Sequence, residues 1–118
     1  MDTSDYHALR DGTLDAATAA ALLPDRATLG AVWRYLAAAP GGHITETPAC
    51  LCRKLVRKYD APLSLSKLLV CLDIFRDVGL LELQRLRKTM TIRLLPTKEK
   101  ADLTQSATMQ QLITAKES

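Results

Sequence analysis

The chain has 118 residues, 47% of them hydrophobic and 25% charged, with a formal net charge of +3. That balance suits one ordinary globular core, and no apolar run approaches the roughly 20 residues that a bilayer span requires. The opening MDTSDYHALRDG is acidic and polar, unlike a secretory signal, so a cytoplasmic protein with no membrane partner is expected.

The positive charge is concentrated in the middle. Residues 43–100 hold twelve Lys or Arg against six Asp or Glu, whereas residues 1–42 hold three against five. A basic centre is compatible with a polyanionic partner, and equally with a plain solvated surface. The three cysteines, Cys50, Cys52 and Cys71, are too few and too unevenly spaced for a disulfide framework. Cys50 and Cys52 lie near His43, but the one-residue gap is shorter than a zinc knuckle uses and a second pair is missing. Free thiols and no metal are expected in this chain.

In chain order, the alanine-rich stretch Leu14 to Leu23 favours a short helix stopped by Pro24. Asp25 is placed to cap a helix over 26–39, with Leu29, Val32, Trp33 and Leu36 on one stripe and Trp33 as a core anchor. Pro40-Gly41-Gly42 ends it, and His43 to Thr45 reads as extended. Thr47 then caps a helix over 48–59 with Pro48 at its first position. Cys52, Leu55, Val56 and Tyr59 form its apolar stripe, while Arg53, Lys54, Arg57 and Lys58 line the opposite face with no acid among them. Such a face either solvates the surface or meets phosphates.

Asp60-Ala61-Pro62 makes a turn, and Ser64 or Ser66 caps a helix running to Val78, closed by Gly79. Its stripe is Leu68, Cys71, Leu72, Phe75 and Val78, with Cys71 a small core residue rather than a reactive thiol. Two alternating segments follow, Leu81 to Gln84 and Met90 to Leu94, joined by a basic turn Arg85 to Thr89 and ended by Pro96. The tail has a cap-like Asp102-Leu103-Thr104-Gln105, read as a capping box. Met109, Leu112 and Ile113 follow at helical spacing, so the tail is expected to be a helix packed on the domain.

Three helices followed by a hairpin is the order of a winged helix-turn-helix. The expected fold is therefore α+β and mainly helical. A helical extension (1–24) precedes a winged-helix domain (25–98), and a tail helix follows (99–118). In a winged-helix reader of DNA, the exposed face of the second motif helix meets base edges. Here that face is expected to offer Ser66, Lys67, Val70, Asp73 and Asp77, whose carboxylates suit phosphates poorly. Nucleic-acid contact is instead assigned to Arg53, Lys54, Arg57 and Lys58 and to the wing residues Arg85, Arg87 and Lys88, which give affinity without sequence choice.

Three stretches carry a resemblance: LLPDRATLGAVWRYLAA, CLDIFRDVGLLEL and KADLTQSATMQQ. Together, over about residues 20–112, they resemble the C-terminal domain of bacterial RecJ, the single-stranded-DNA-specific exonuclease. Trp33 and Tyr35 stand where the family has an aromatic pair. Asp77 replaces a glutamate common in its F-x-E-x-G junction, and the tail is similar in its Asp102-Leu103-Thr104 and Ser106. The resemblance implies an accessory domain in DNA recombination and repair. It implies weak, non-specific binding of single-stranded DNA, contact with the rest of the nuclease chain, and a DNA-repair protein as a further partner. The parent enzyme would use a divalent metal, Mn or Mg. This chain, with only His7 and His43, lacks the Asp-His-His cluster of that chemistry and is expected to be non-catalytic, without a cofactor. The alternative is a stand-alone winged-helix transcription regulator, which would need a dimer to match two half-sites.

Overall fold

The computed structural model describes residues 3–59, 63–96 and 102–117. The expected turn at 60–62 and the lysine-rich approach to the tail at 97–101 lie outside the described residues.

The alanine-rich stretch holds the expected helix, α2 (Ala16–Leu22), and a further helix, α1 (Ser4–Asp11), precedes it. The further helix was not legible as one, because only Tyr6 and Leu9 on it are buried and no side chain caps its start. Gly12 ends it in a left-handed conformation (φ 76°), which releases the chain into the next cap. Asp15 opens α2 by accepting a hydrogen bond from the Thr18 amide at 2.7 Å, so this helix begins two residues later than its composition suggests.

The helix α3 (Arg26–Ala37) starts at Asp25 as expected, its carboxylate accepting from the Thr28 amide at 2.7 Å. It ends two residues early, and Pro40–Gly42 forms a tight 3-10 turn. The extended piece after it is a true strand, β1 (His43–Glu46). The helix α4 (Pro48–Tyr59) follows Thr47, whose hydroxyl accepts from the Cys50 amide at 3.2 Å. Of the two serines that could cap the helix α5 (Leu65–Asp77), Ser64 does so, accepting from the Lys67 amide at 3.1 Å.

Strands β2 (Leu81–Leu86) and β3 (Thr89–Leu94) form a hairpin with a two-residue turn, Arg87-Lys88. They complete a three-stranded antiparallel sheet in the order β1-β3-β2. In its register Ile92 faces Ile44 on one side and Leu83 on the other, and Leu94 faces Leu81. These apolar positions share the face turned to the helices, as strand alternation requires.

The tail contains a 3-10 turn, Leu103–Gln105, and the helix α6 (Ala107–Lys116). Asp102 caps the turn, through the Thr104 amide at 3.0 Å, and Ser106 caps the helix, through the Met109 amide at 3.2 Å. Gln105 therefore closes the turn and does not complete a capping box. The apolar stripe of the tail packs as expected: Leu112 is fully buried, Met109 is buried, and Ile113 is half-buried against the same core. One core cluster joins Leu9 of α1, Leu22 of α2, Leu36 of α3, Phe75 of α5, Ile92 of β3 and Leu112 of α6. Trp33 is only half-buried and packs at its edge, with its ring 5.3 Å from that of Phe75.

Candidate nucleic-acid interface

The basic face of α4 forms as its spacing requires. Leu51, Cys52 and Leu55 are buried, and Arg53, Lys54, Arg57 and Lys58 are exposed on the other side. The i, i+4 relation sets Arg53 above Arg57 and Lys54 above Lys58, so the four cations form two short rows. The second row is partly engaged. Lys54 pairs with Glu46 of β1, whose hydrogen bond and charge together raise the ammonium above its ordinary pKa. Lys58 sits over the Tyr35 ring, 5.6 Å from its centre. Arg53 and Arg57 form the row that projects into solvent.

The hairpin cations are divided by strand parity. The expected basic turn, Arg85 to Thr89, is shorter than that: β2 continues through Leu86, so Arg85 and Leu86 belong to the strand. Arg85 follows Leu81 and Leu83 on the face turned to the helices, and Leu86 takes the outer face, where it is 50% exposed. The Arg85 guanidinium reaches α1. It donates to the Tyr6 hydroxyl at 3.1 Å and lies 5.6 Å from the centre of the Tyr6 ring. Only Arg87 and Lys88 remain at the turn. Together with Thr47, Pro48 and Ala49 at the start of α4, they line a cleft that also takes in Tyr6 and Arg85 and that has no acidic side chain among its described lining residues. Arg53, Lys54, Arg57 and Lys58 do not line that cleft. The seven candidate cations thus fall into two patches and one arginine, Arg85, that is exposed but engaged with Tyr6.

Most of the face of α5 expected to meet solvent does not do so. Ser66 is 3% exposed, and Val70 and Asp73 are fully buried, while Lys67 is half-buried and only Asp77, at the end of the helix, is exposed. Helices α1, α2, α3, α4 and α6 and strand β2 all pack against α5. The signal was present in the sequence: eight of the eleven residues from Leu65 to Phe75 are apolar, and a helix apolar on all sides is a buried helix. Reading it as one stripe with a free face missed the two extra layers that α1, α2 and α6 provide.

The two carboxylates of that face have internal roles. Asp73 accepts a hydrogen bond from the Tyr6 hydroxyl at 2.6 Å, and the guanidinium groups of Arg10 and Arg76 stand 3.6 and 3.5 Å away. Its other oxygen, Oδ1, is buried without a hydrogen bond. Burial, then the hydrogen bond to Asp73 and its charge, raise the Tyr6 hydroxyl above its ordinary pKa, so it stays a neutral donor. Asp77 accepts from the Ser106 hydroxyl at 2.7 Å and from the Thr108 amide at 3.0 Å, fastening the start of α6 to the end of α5. Burial pushes the Asp77 carboxyl up, but these hydrogen bonds and Arg76 outweigh it and hold the group below its ordinary value.

Among the described residues, no three His, Cys, Asp or Glu side chains come together in a set that could hold a metal ion. The donor set therefore does not fit the divalent metal that the resemblance implies for a parent enzyme. Cys52 and Cys71 are buried, and Cys50 is half-buried. Burial pushes the Cys71 thiol up to about 12, which makes it an inert core residue. No described helix is long and apolar enough to cross a membrane.

Set against models of known protein families, curated proteins and solved structures, the chain has no match.

Proposed function

We propose that the chain is a non-catalytic winged-helix module that contacts a polyanion without reading sequence. Its place is that of an accessory domain of a RecJ-type single-stranded-DNA exonuclease. In this reading α3, α4 and α5 are the three motif helices and β2 and β3 the wing. The strand order β1-β3-β2 is compatible with that assignment.

The observation that carries the reading is the burial of α5. The helix that would enter a major groove is enclosed by five helices and a strand, and its two carboxylates are committed to Tyr6 and to the α6 cap. The same burial disfavours the transcription-regulator alternative, which needs that helix for base contacts. All seven assigned cations are exposed, and among them Arg53 and Arg57 on α4 and Arg87 and Lys88 at the wing tip lack the partners that engage Lys54, Lys58 and Arg85. Such groups meet phosphates and give affinity that falls steeply with salt. Parent-chain contact and a repair-protein partner rest on the resemblance alone.

Fluorescence anisotropy with labelled single strands of unrelated sequence tests this. Dissociation constants of about 10⁻⁴–10⁻⁶ M, equal across sequences and steep in salt, are expected. Reversal of two charges, Arg57→Glu with Lys58→Glu, should weaken binding to every strand alike. Tight binding to one sequence, or no effect of the reversal, would refute the assigned surface.

A further inference from the structure

We infer that the cleft between the wing tip, the start of α4 and α1 seats one unstacked nucleotide of a single strand, its phosphate on Arg87 and Lys88 and its base against Arg85. The inference rests on the polyanion reading above and adds to it a defined seat for one base.

The cleft has a volume of about 410 Å³. Small-ligand sites span roughly 300–1,000 Å³, so this one admits a single flat group and no duplex. Two chemistries meet in it. Arg85, Arg87 and Lys88 line it with no acid among its described lining residues, so an entering anion meets one sign of charge. Buried Leu65, Leu69 and Met90 line it as well, and so does Leu86. Among the described residues, Leu86 is the one large apolar side chain left exposed. An inorganic anion would use the cations and leave the apolar lining bare. A nucleotide engages both, with a phosphate for the charges and a flat base for the rest.

Arg85 separates this ligand from a run of carboxylates. Its Nη2 donates to the Tyr6 hydroxyl at 3.1 Å, and its guanidinium lies 5.6 Å from the centre of the Tyr6 ring, yet the residue stays exposed. Tyr6 is itself fixed, being buried and bonded to Asp73 at 2.6 Å. The guanidinium plane is therefore held before any ligand arrives, and the freedom of a long side chain is not lost again on binding. A carboxylate binds best to the free fork of an arginine, and one arm of this fork is taken. A base uses the flat face instead, and guanidinium planes are surfaces on which unstacked bases lie. Arg87 and Lys88, at the turn, have no such anchor among the described residues and supply charge. Stacking and apolar contact accept any base, which agrees with binding that does not read sequence.

The test is an amide NMR titration of the full chain with thymidine monophosphate, inorganic phosphate and oligo-dT. The parent is compared with Arg85→Lys, with Leu86→Ser, and with the double variant Arg87→Gln, Lys88→Gln. The monophosphate should shift the amides of His7, Ala49 and Arg85 to Thr89 saturably, and oligo-dT should displace it. Inorganic phosphate should shift the turn amides with an affinity about fivefold lower or more, the least that one stacked base is worth. Arg85→Lys keeps the charge and removes the plane. It should weaken the monophosphate about fivefold or more and leave inorganic phosphate unchanged. Leu86→Ser, at an exposed position outside the core, should act the same way by less, and it decides the question if Arg85→Lys disturbs Tyr6. The double variant should weaken both ligands. Monophosphate shifts confined to the amides of residues 53–58, or monophosphate affinity unchanged in both single variants, would overturn the seat. Poly-aspartate that displaces the monophosphate as well as oligo-dT does would overturn the choice of a nucleotide. Oligo-dT that binds through α4 alone would overturn the seat and leave the polyanion reading standing. Oligo-dT that shifts no amide at low salt would defeat that reading, and the seat for a strand with it.

Discussion

Leu112→Ala is the sharpest test of whether the tail belongs to the fold. Leu112 lies on α6, fully buried, and α6 packs against both α2 and α5. Truncating a buried leucine loses its transfer energy and leaves a cavity, at a cost of about 2–5 kcal/mol. The entropy of unfolding near 60 °C is about 2.1 cal/mol/K per residue, or roughly 0.25 kcal/mol/K for this chain. Each kcal/mol is then worth about 4 °C, and the expected fall in Tm is about 8–20 °C. Ile113→Ala, at a half-buried position, should cost less, and Lys116→Ala, at an exposed one, should stay within about 0.5 kcal/mol. Thermal melts followed by circular dichroism, with guanidinium titrations alongside, measure all three. The denaturant slope should not change if the tail unfolds together with the rest of the domain. A shift of less than about 2 °C for Leu112→Ala would mean that the tail adds no burial to the native state, and the packed-tail reasoning would fail.

Asp77 links the tail to pH. Its folded-state pKa is depressed, so the stability it contributes is present above its unfolded value of 3.8 and is lost as pH falls through the lower folded value. Asp77→Asn should therefore be less stable than the parent at pH 7, with the difference shrinking below about pH 4 in urea titrations; a constant difference down to pH 2 would contradict the capping role. Ellman's reagent should label Cys50 readily in the native protein, and Cys52 and Cys71 only on unfolding. Equal reactivity of all three would contradict the burial described for the latter two. Incubated with labelled single-stranded DNA and manganese, the purified chain should release no nucleotides, and degradation that tracks the protein through purification would show a catalytic site where none is expected.

Most helix starts could be read from the sequence because their causes are local. Asp25, Thr47 and Ser64 each have an oxygen within reach of an amide three residues on, and that geometry depends on nothing distant. The strand alternation and the apolar stripe of the tail were legible for the same reason: side-chain direction is set by the period of the element. The capping box was misplaced because two residues, Asp102 and Ser106, can each cap, and only the docking of α6 against Asp77 selects the second for the helix. The helix α1 escaped notice because its stability comes from contacts 67 and 79 residues away, Tyr6 with Asp73 and with Arg85.

For the interface, composition and periodicity alone determined the cationic face of α4, since four basic residues opposite a buried stripe must project outward. Which of those cations are free, and which side of the hairpin Arg85 takes, only the tertiary structure decided. Parity along a strand is fixed, but where the turn begins depends on the pairing of β2 with β3, and extending β2 to Leu86 puts Arg85 on the helix-facing side, where it reaches Tyr6 while staying exposed. The fate of α5 was decided the same way. A helix carrying Asp73 and Asp77 reads as one with a solvent face until other elements supply donors, and here Tyr6 of α1 and Ser106 at the start of α6 supply them. Burying a carboxylate is costly unless a partner arrives with it, and no local pattern around position 73 announces a partner that lies at position 6.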